Sequence, residues 1–149
     1  MQYKRTVLLV IAGFLAMVTG LVQAGSAEIQ GDHTVFYNAF NTNTLQPKMA
    51  EAYNIVRSKN RGMLTVSVIQ KDLSPVGKPV HAKITASASN LTGQFRSLNL
   101  REVVEGSSIY YLSEFHVAHE EVLDFTLEIE LEGESRPQTV KFRQQFYTE

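Results

Sequence analysis

The chain has 149 residues, 44% of them hydrophobic and 19% charged, with a formal charge of −1 and neither Cys nor Trp. A chain this long builds one core rather than two, and without cysteine it has no disulfide framework, thiol chemistry, thiolate metal site or lipidated Cys. The near-neutral balance gives no electrostatic reason to expect binding to nucleic acid or to an anionic membrane surface.

The first residues differ from the rest. Lys4 and Arg5 precede an uncharged run from Thr6 to Val22, the order of a secretory signal. Small or β-branched residues at Val22 and Ala24 predict cleavage after Ala24, with a second possible cut after Ala27. An uncleaved anchor is the rival, but the strongest apolar stretch, Val7 to Val18, is shorter than the ~20 residues a membrane-spanning helix needs. Removing the leader leaves residues 25–149 as a single domain with 12 basic and 15 acidic residues, a charge of −3. That domain is expected to be exported, with no stable insertion in the membrane.

Gly25 to Gly31 is expected to be a loose start. From Asp32 onward apolar residues recur with period two between clusters of Gly, Pro, Asn and Ser, which predicts strands. They fall at Thr34–Asn41, Met63–Lys71, Val80–Ser89, Phe95–Val104, Ile109–Val117, Val122–Glu132 and Thr139–Tyr147. Pro47 to Tyr53 interrupts them with helical spacing, and Pro47 suits a first helical turn. About seven strands and one short helix predict an all-β, antiparallel, immunoglobulin-like sandwich.

Alternation is sharpest in Val122–Glu132, where Leu123, Phe125, Leu127, Ile129 and Leu131 share one face. The last strand answers it with Val140, Phe142 and Phe146. Pairing Leu131 with Val140 and Ile129 with Phe142 sets Glu130 beside Lys141 and Glu128 beside Arg143, so packing and charge favour one register. In Tyr110–Tyr111 and Phe146–Tyr147 successive rings point to opposite faces, so one of each pair should be partly exposed.

Few residues suggest chemistry. Arg57, Lys59 and Arg61 place three cations in five residues and could hold a carboxylate or phosphate; the competing reading is a solvated loop meeting nearby acids. Asn38 and Asn41 could hydrogen-bond a ligand, or tether the backbone of the following loop. His116 and His119 with Glu120 and Glu121 are metal-ligand types, but histidines three apart on a strand face opposite ways, so no metal site is expected. No nucleophile elbow, glycine-rich phosphate loop or converging carboxylate pair occurs, so no catalytic residue and no cofactor is expected, and a hydrolase is a minor alternative.

Tyr37-Asn38-Ala39-Phe40-Asn41-Thr42, then Leu45, Pro47, Ala50, Ala52, Tyr53 and Arg57 to Gly62, carry a family likeness. So do Asn90-Leu91-Thr92-Gly93-Gln94, Leu100-Arg101-Glu102, Ile109-Tyr110-Tyr111 and Phe146-Tyr147. On these residues the sequence resembles the proteobacterial family called domain of unknown function 4426. The resemblance implies a secreted, periplasmic β-sandwich and carries over no activity, ligand or catalytic residue. The expected role is therefore a non-catalytic binding or accessory module for another cell-envelope protein, acting through an edge strand or the loops at one end. The alternative is a periplasmic protein that binds a small ligand or metal.

Overall fold

The computed structural model describes residues 24–149; the leader expected over residues 1–24 lies, but for Ala24, outside them. Among the described residues, ten strands form two antiparallel sheets. They are β1 (Gly25–Ile29), β2 (His33–Asn41), β3 (Arg61–Gln70), β4 (Lys78–Pro79), β5 (Ala82–Asn90), β6 (Phe95–Leu98), β7 (Arg101–Glu105), β8 (Ser108–His116), β9 (Val122–Leu131) and β10 (Gln138–Gln145). One sheet runs β1-β2-β3-β8-β7, with the two-residue β4 beside the end of β3, and the other runs β10-β9-β5-β6. Apart from β1 and β4, this is the strand order of an immunoglobulin-like sandwich.

The alternating faces seen in the sequence meet between the sheets. Leu123, Phe125, Leu127 and Ile129 from β9 pack with Val35, Leu64, Val66 and Val68 from the facing sheet, all buried. Burial of each such side chain contributes about 1.5–3 kcal/mol relative to leaving it in water.

Four expectations need correction. Gly25–Ile29 is an edge strand rather than a loose start, paired from Gly25↔Tyr37 to Ile29↔His33. Phe95–Val104 is two strands in different sheets, because the chain crosses between layers at Asn99 and Leu100. The β9–β10 register differs by four residues: Val140 faces Leu127, Phe142 faces Phe125 and Arg143 faces Asp124. An even slip keeps every side chain on its own face, so alternation cannot detect it. The observed register stacks Phe142 on Phe125 at 4.7 Å and gives Arg143 both carboxylate oxygens of Asp124 at 2.6 and 2.9 Å. Finally, Tyr110 and Tyr111 are both buried.

The reason for the last correction is a second, smaller core on the outer face of the β2-β3-β8 sheet. Phe40, Met63, Tyr110 and Leu112 point outward there and are covered by Leu45, Ala50 and Ile55. The cover comes from the β2–β3 connection, which contains a 3-10 turn (Thr42–Thr44) and helix α1 (Pro47–Ala52). Asn54 ends α1 in the left-handed region at φ 55°, letting Ile55 N–H reach the Ala50 carbonyl at 2.8 Å and Asn54 N–H that of Glu51 at 3.2 Å. These are the paired bonds of a Schellman motif, and they turn Ile55 back onto the sheet.

Candidate functional site

The strand registers bring the β2–β3, β5–β6 and β8–β9 connections and the C-terminal residues to one end of the sandwich: Asn41 pairs with Gly62, Arg61 with His116, and Gln145 with Val122. Both charged clusters singled out in the sequence therefore meet, and Val117 N–H donates to the Asn60 carbonyl at 3.0 Å.

The side chains proposed for binding are engaged to different degrees. Arg57 donates through Nε to the Leu45 carbonyl at 2.8 Å and through Nη2 to that of Asn43 at 3.0 Å, tying the connection's two arms together. Arg61 pairs with Glu114 at 3.3 Å. Asn41 donates Nδ2 to the carbonyls of Lys59 at 2.8 Å and Tyr147 at 3.1 Å, clasping loop to C-terminus. Asn38 is buried at the outer-face end of the row Asn38–Thr65–Leu112, and its Oδ1 has no hydrogen-bond partner among the described residues. Lys59 stands exposed in the loop. The loop is held from beneath by Thr42, fully buried, whose hydroxyl lies 2.8 Å from the Val56 carbonyl and accepts the Ser58 N–H at 2.9 Å. Because Arg57 serves two carbonyls in a forked geometry, Arg57→Ala should destabilise the protein by about 1 kcal/mol, discounted for exposure, and Arg57→Lys should recover little of it. Urea unfolding of the three proteins checks this.

Around His116–Glu121 some groups are likewise committed. Arg96 reaches across from β6 to the His116 carbonyl at 2.6 Å and to Glu121 at 3.3 Å. His119 Nδ1 accepts the Thr148 N–H at 3.2 Å and its ring meets Tyr147 edge-on at 6.2 Å. Among the described residues no group of three or more His, Cys, Asp and Glu gathers to hold a metal ion.

Beside exposed polar residues such as Lys59, Asn60, His116 and Glu120, four large apolar side chains of these connections and the C-terminus are exposed: Val56, Leu91, Phe95 and Tyr147, at 58, 68, 69 and 56%. Asn90 fixes the β5–β6 turn, its Oδ1 accepting the N–H groups of Thr92 at 3.2 Å and Gln94 at 2.9 Å. Of the four, only Tyr147 stood out in the sequence; Phe95 carried a signal, since it shares the wet face with Ser97.

A separate open cleft of about 350 Å³ lies between α1 and the edge strand β7, lined by Tyr53, Asn54, Arg101, Val103 and Glu105. The Tyr53 hydroxyl donates to Glu105, and Arg101 donates to the Tyr53 carbonyl. Burial first, then the bond to Glu105, pushes the Tyr53 phenol from its ordinary 10 up to about 12. A phenol raised in the folded state stabilises the fold fully below its unfolded value and loses that contribution as pH rises from 10 to about 12. Subtracting a Tyr53→Phe titration should isolate a phenolate absorbance step near the upper limit of this window, and Glu105→Gln should move the step toward 10.

No functionally curated protein matches the chain. A solved structure of a DUF4426 family protein from Pseudomonas aeruginosa PAO1 is 39% identical, with a TM-score of 0.70 over 83% of this chain and 94% of that one. FetP of uropathogenic Escherichia coli strain F11 shares the fold at 11% identity. Its copper-bound single-residue variant has a TM-score of 0.58 over 84% of this chain and 95% of that one. Its as-isolated form, expressed recombinantly in the E. coli periplasm, has the same TM-score over 85% and 95%. The profile described as "Domain of unknown function (DUF4426)" matches residues 27–149, nearly all of the described sandwich, and the chain belongs to that family.

Proposed function

We propose that the protein is a periplasmic, non-catalytic binding or accessory module that contacts another cell-envelope protein. One observation carries the reading: at the end where the candidate loops meet, Arg57 and Arg61 are engaged internally while Val56, Leu91, Phe95 and Tyr147 face outward. Exposed aromatic and aliphatic groups suit a protein surface better than a small anion, which needs several uncommitted donors where two of this loop's three cations are committed. Export is supported by the leader-like pattern of residues 1–24, and no helix among the described residues is long and apolar enough to cross a membrane.

The test is photo-crosslinking in intact cells, with a benzoylphenylalanine at Phe95 or Tyr147 and, as a control, at Glu130 on the wet face of β9. The expected result is one reproducible adduct of defined mass from the loop end and none from the control. No adduct from any surface position would overturn the module reading.

The fold shared with copper-bound FetP favours a metal-binding alternative. The donors here do not fit it: His119 Nδ1 already accepts a backbone N–H, and its Nε2 has only Glu120 nearby, at 3.8 Å. Copper(II) is expected to leave the unfolding midpoint unchanged, and a midpoint that climbs with copper concentration would favour the alternative.

A further inference from the structure

The two sheets do not end together. Tyr37 of β2 stacks on Phe142 of β10 at 4.4 Å, so β10, the last strand of its sheet, lies under β2. The other sheet continues one strand further, to β1. Beneath β1 the second sheet has no strand among the described residues. The inward side chains Ala27 and Ile29 touch the core but are only partly buried.

The margin of β10 next to this gap is regular. Phe146 N–H donates to the Glu121 carbonyl at 2.8 Å, which fixes the alternation: even-numbered residues direct their N–H and C=O groups to β9, and Thr139, Lys141 and Arg143 direct theirs away. This edge is eight residues long without proline, whereas β6 has four residues and β1 and β7 five each. Side chains at the odd positions lie on the wet face, where β10 carries Thr139, Lys141, Arg143 and Gln145, two cations and no acid. Arg143 is paired with Asp124, and no ion pair engages Lys141 among the described residues.

We propose that β10 accepts an extended, amphipathic strand from the partner, acidic on alternate residues, which completes the shorter sheet beneath β1. This rests on the reading of the protein as a binding module and names the partner's chemistry. Backbone groups of Thr139, Lys141 and Arg143 pair with the incoming strand. Its apolar residues turn inward against Ala27, Ile29 and Phe142, and its acidic residues lie beside Lys141 and Arg143. The same cations argue against a second copy, since β10 against β10 brings two sets of Lys141 and Arg143 together and adds no acid to the Asp124 that already pairs with each Arg143.

The probe is a fluorescent ten-residue peptide alternating Val and Glu, with a Val and Lys twin as control, titrated into the purified protein. The Glu peptide should bind and the Lys peptide should not. Lys141→Pro removes an outward N–H without touching the β9 ladder and should weaken binding at least about tenfold. Lys141→Glu, which leaves the backbone intact, should weaken the Glu peptide about fivefold and admit the Lys peptide. Equal affinity for both peptides, no binding of either, or binding indifferent to both variants would overturn the proposal, as would a concentration-dependent dimer broken by Lys141→Pro. Adducts from Phe95 or Tyr147 in cells, with no peptide binding, would leave the module standing and this edge refuted.

Discussion

Phe125→Ala should lower the unfolding free energy by about 4 kcal/mol, the middle of the range for emptying a buried aromatic site. The ring is 1% exposed and is enclosed by three others: Phe142 stacked at 4.7 Å, Phe115 edge-on at 5.6 Å and Phe146 at 6.3 Å. These neighbours come from β8, from β10 and from the residue just past the end of β10, and β9 and β5 are hydrogen-bonded through the same region, so little can collapse into the space. Urea unfolding measures the loss. The same residue also tests the strand register, because a double-mutant cycle between Phe125 and Phe142 should show a coupling of about 1 kcal/mol, whereas one between Ile129 and Phe142 should be near zero. Coupling to Ile129 instead would restore the register that charge pairing suggested and refute the observed one.

The second large effect is expected at Gly62. A methyl group there would sit 2.4 Å from Cε2 and 2.7 Å from Cζ of Phe115. Phe115 is held edge-on to both Phe125 and Phe146, so the ring cannot swing aside without moving the core. Gly62→Ala should therefore destabilise by about 3 kcal/mol, at the top of the range for overpacking. Phe115→Leu alone should also destabilise, yet combined with Gly62→Ala it should cost less than the sum, since the smaller side chain yields the contested space. Strict additivity would mean that the close approach is not what requires glycine. In the sequence Gly62 closes a cationic run; in the fold it is the second residue of β3 and admits an aromatic ring.

The same loop shows how tertiary contacts reassign side chains. Arg57, Lys59 and Arg61 look alike as a run of charge, but each has a different environment: one clasps carbonyls, one stands free and one pairs with Glu114. Asn41 follows the tethering alternative, joining the loop to the Tyr147 carbonyl 106 residues away. Similarly, the hydroxyl of Tyr111 accepts the Ala82 N–H at 2.9 Å and donates to Glu102 at 2.9 Å, linking the two sheets. His81 first and then Tyr111 hold the Glu102 carboxyl below its usual range. Phe146 and Tyr147 follow the sequence expectation, one buried and one exposed; Tyr110 and Tyr111 do not.

Local pattern determined the strands, the short helix and the face that each apolar residue presents, because a strand side chain's direction repeats every two residues whatever lies opposite. It therefore predicted a sandwich, and the motif likeness predicted the family. What alternation cannot carry is anything that leaves parity unchanged or depends on a distant surface. The four-residue slip of β10, the crossing at Asn99–Leu100, the recruitment of Gly25–Ile29 as an edge strand and the burial of Tyr110 under α1 are all of this kind. Each was decided by which layer had a free edge or an uncovered apolar face, a property of the assembled sheets and of no single segment.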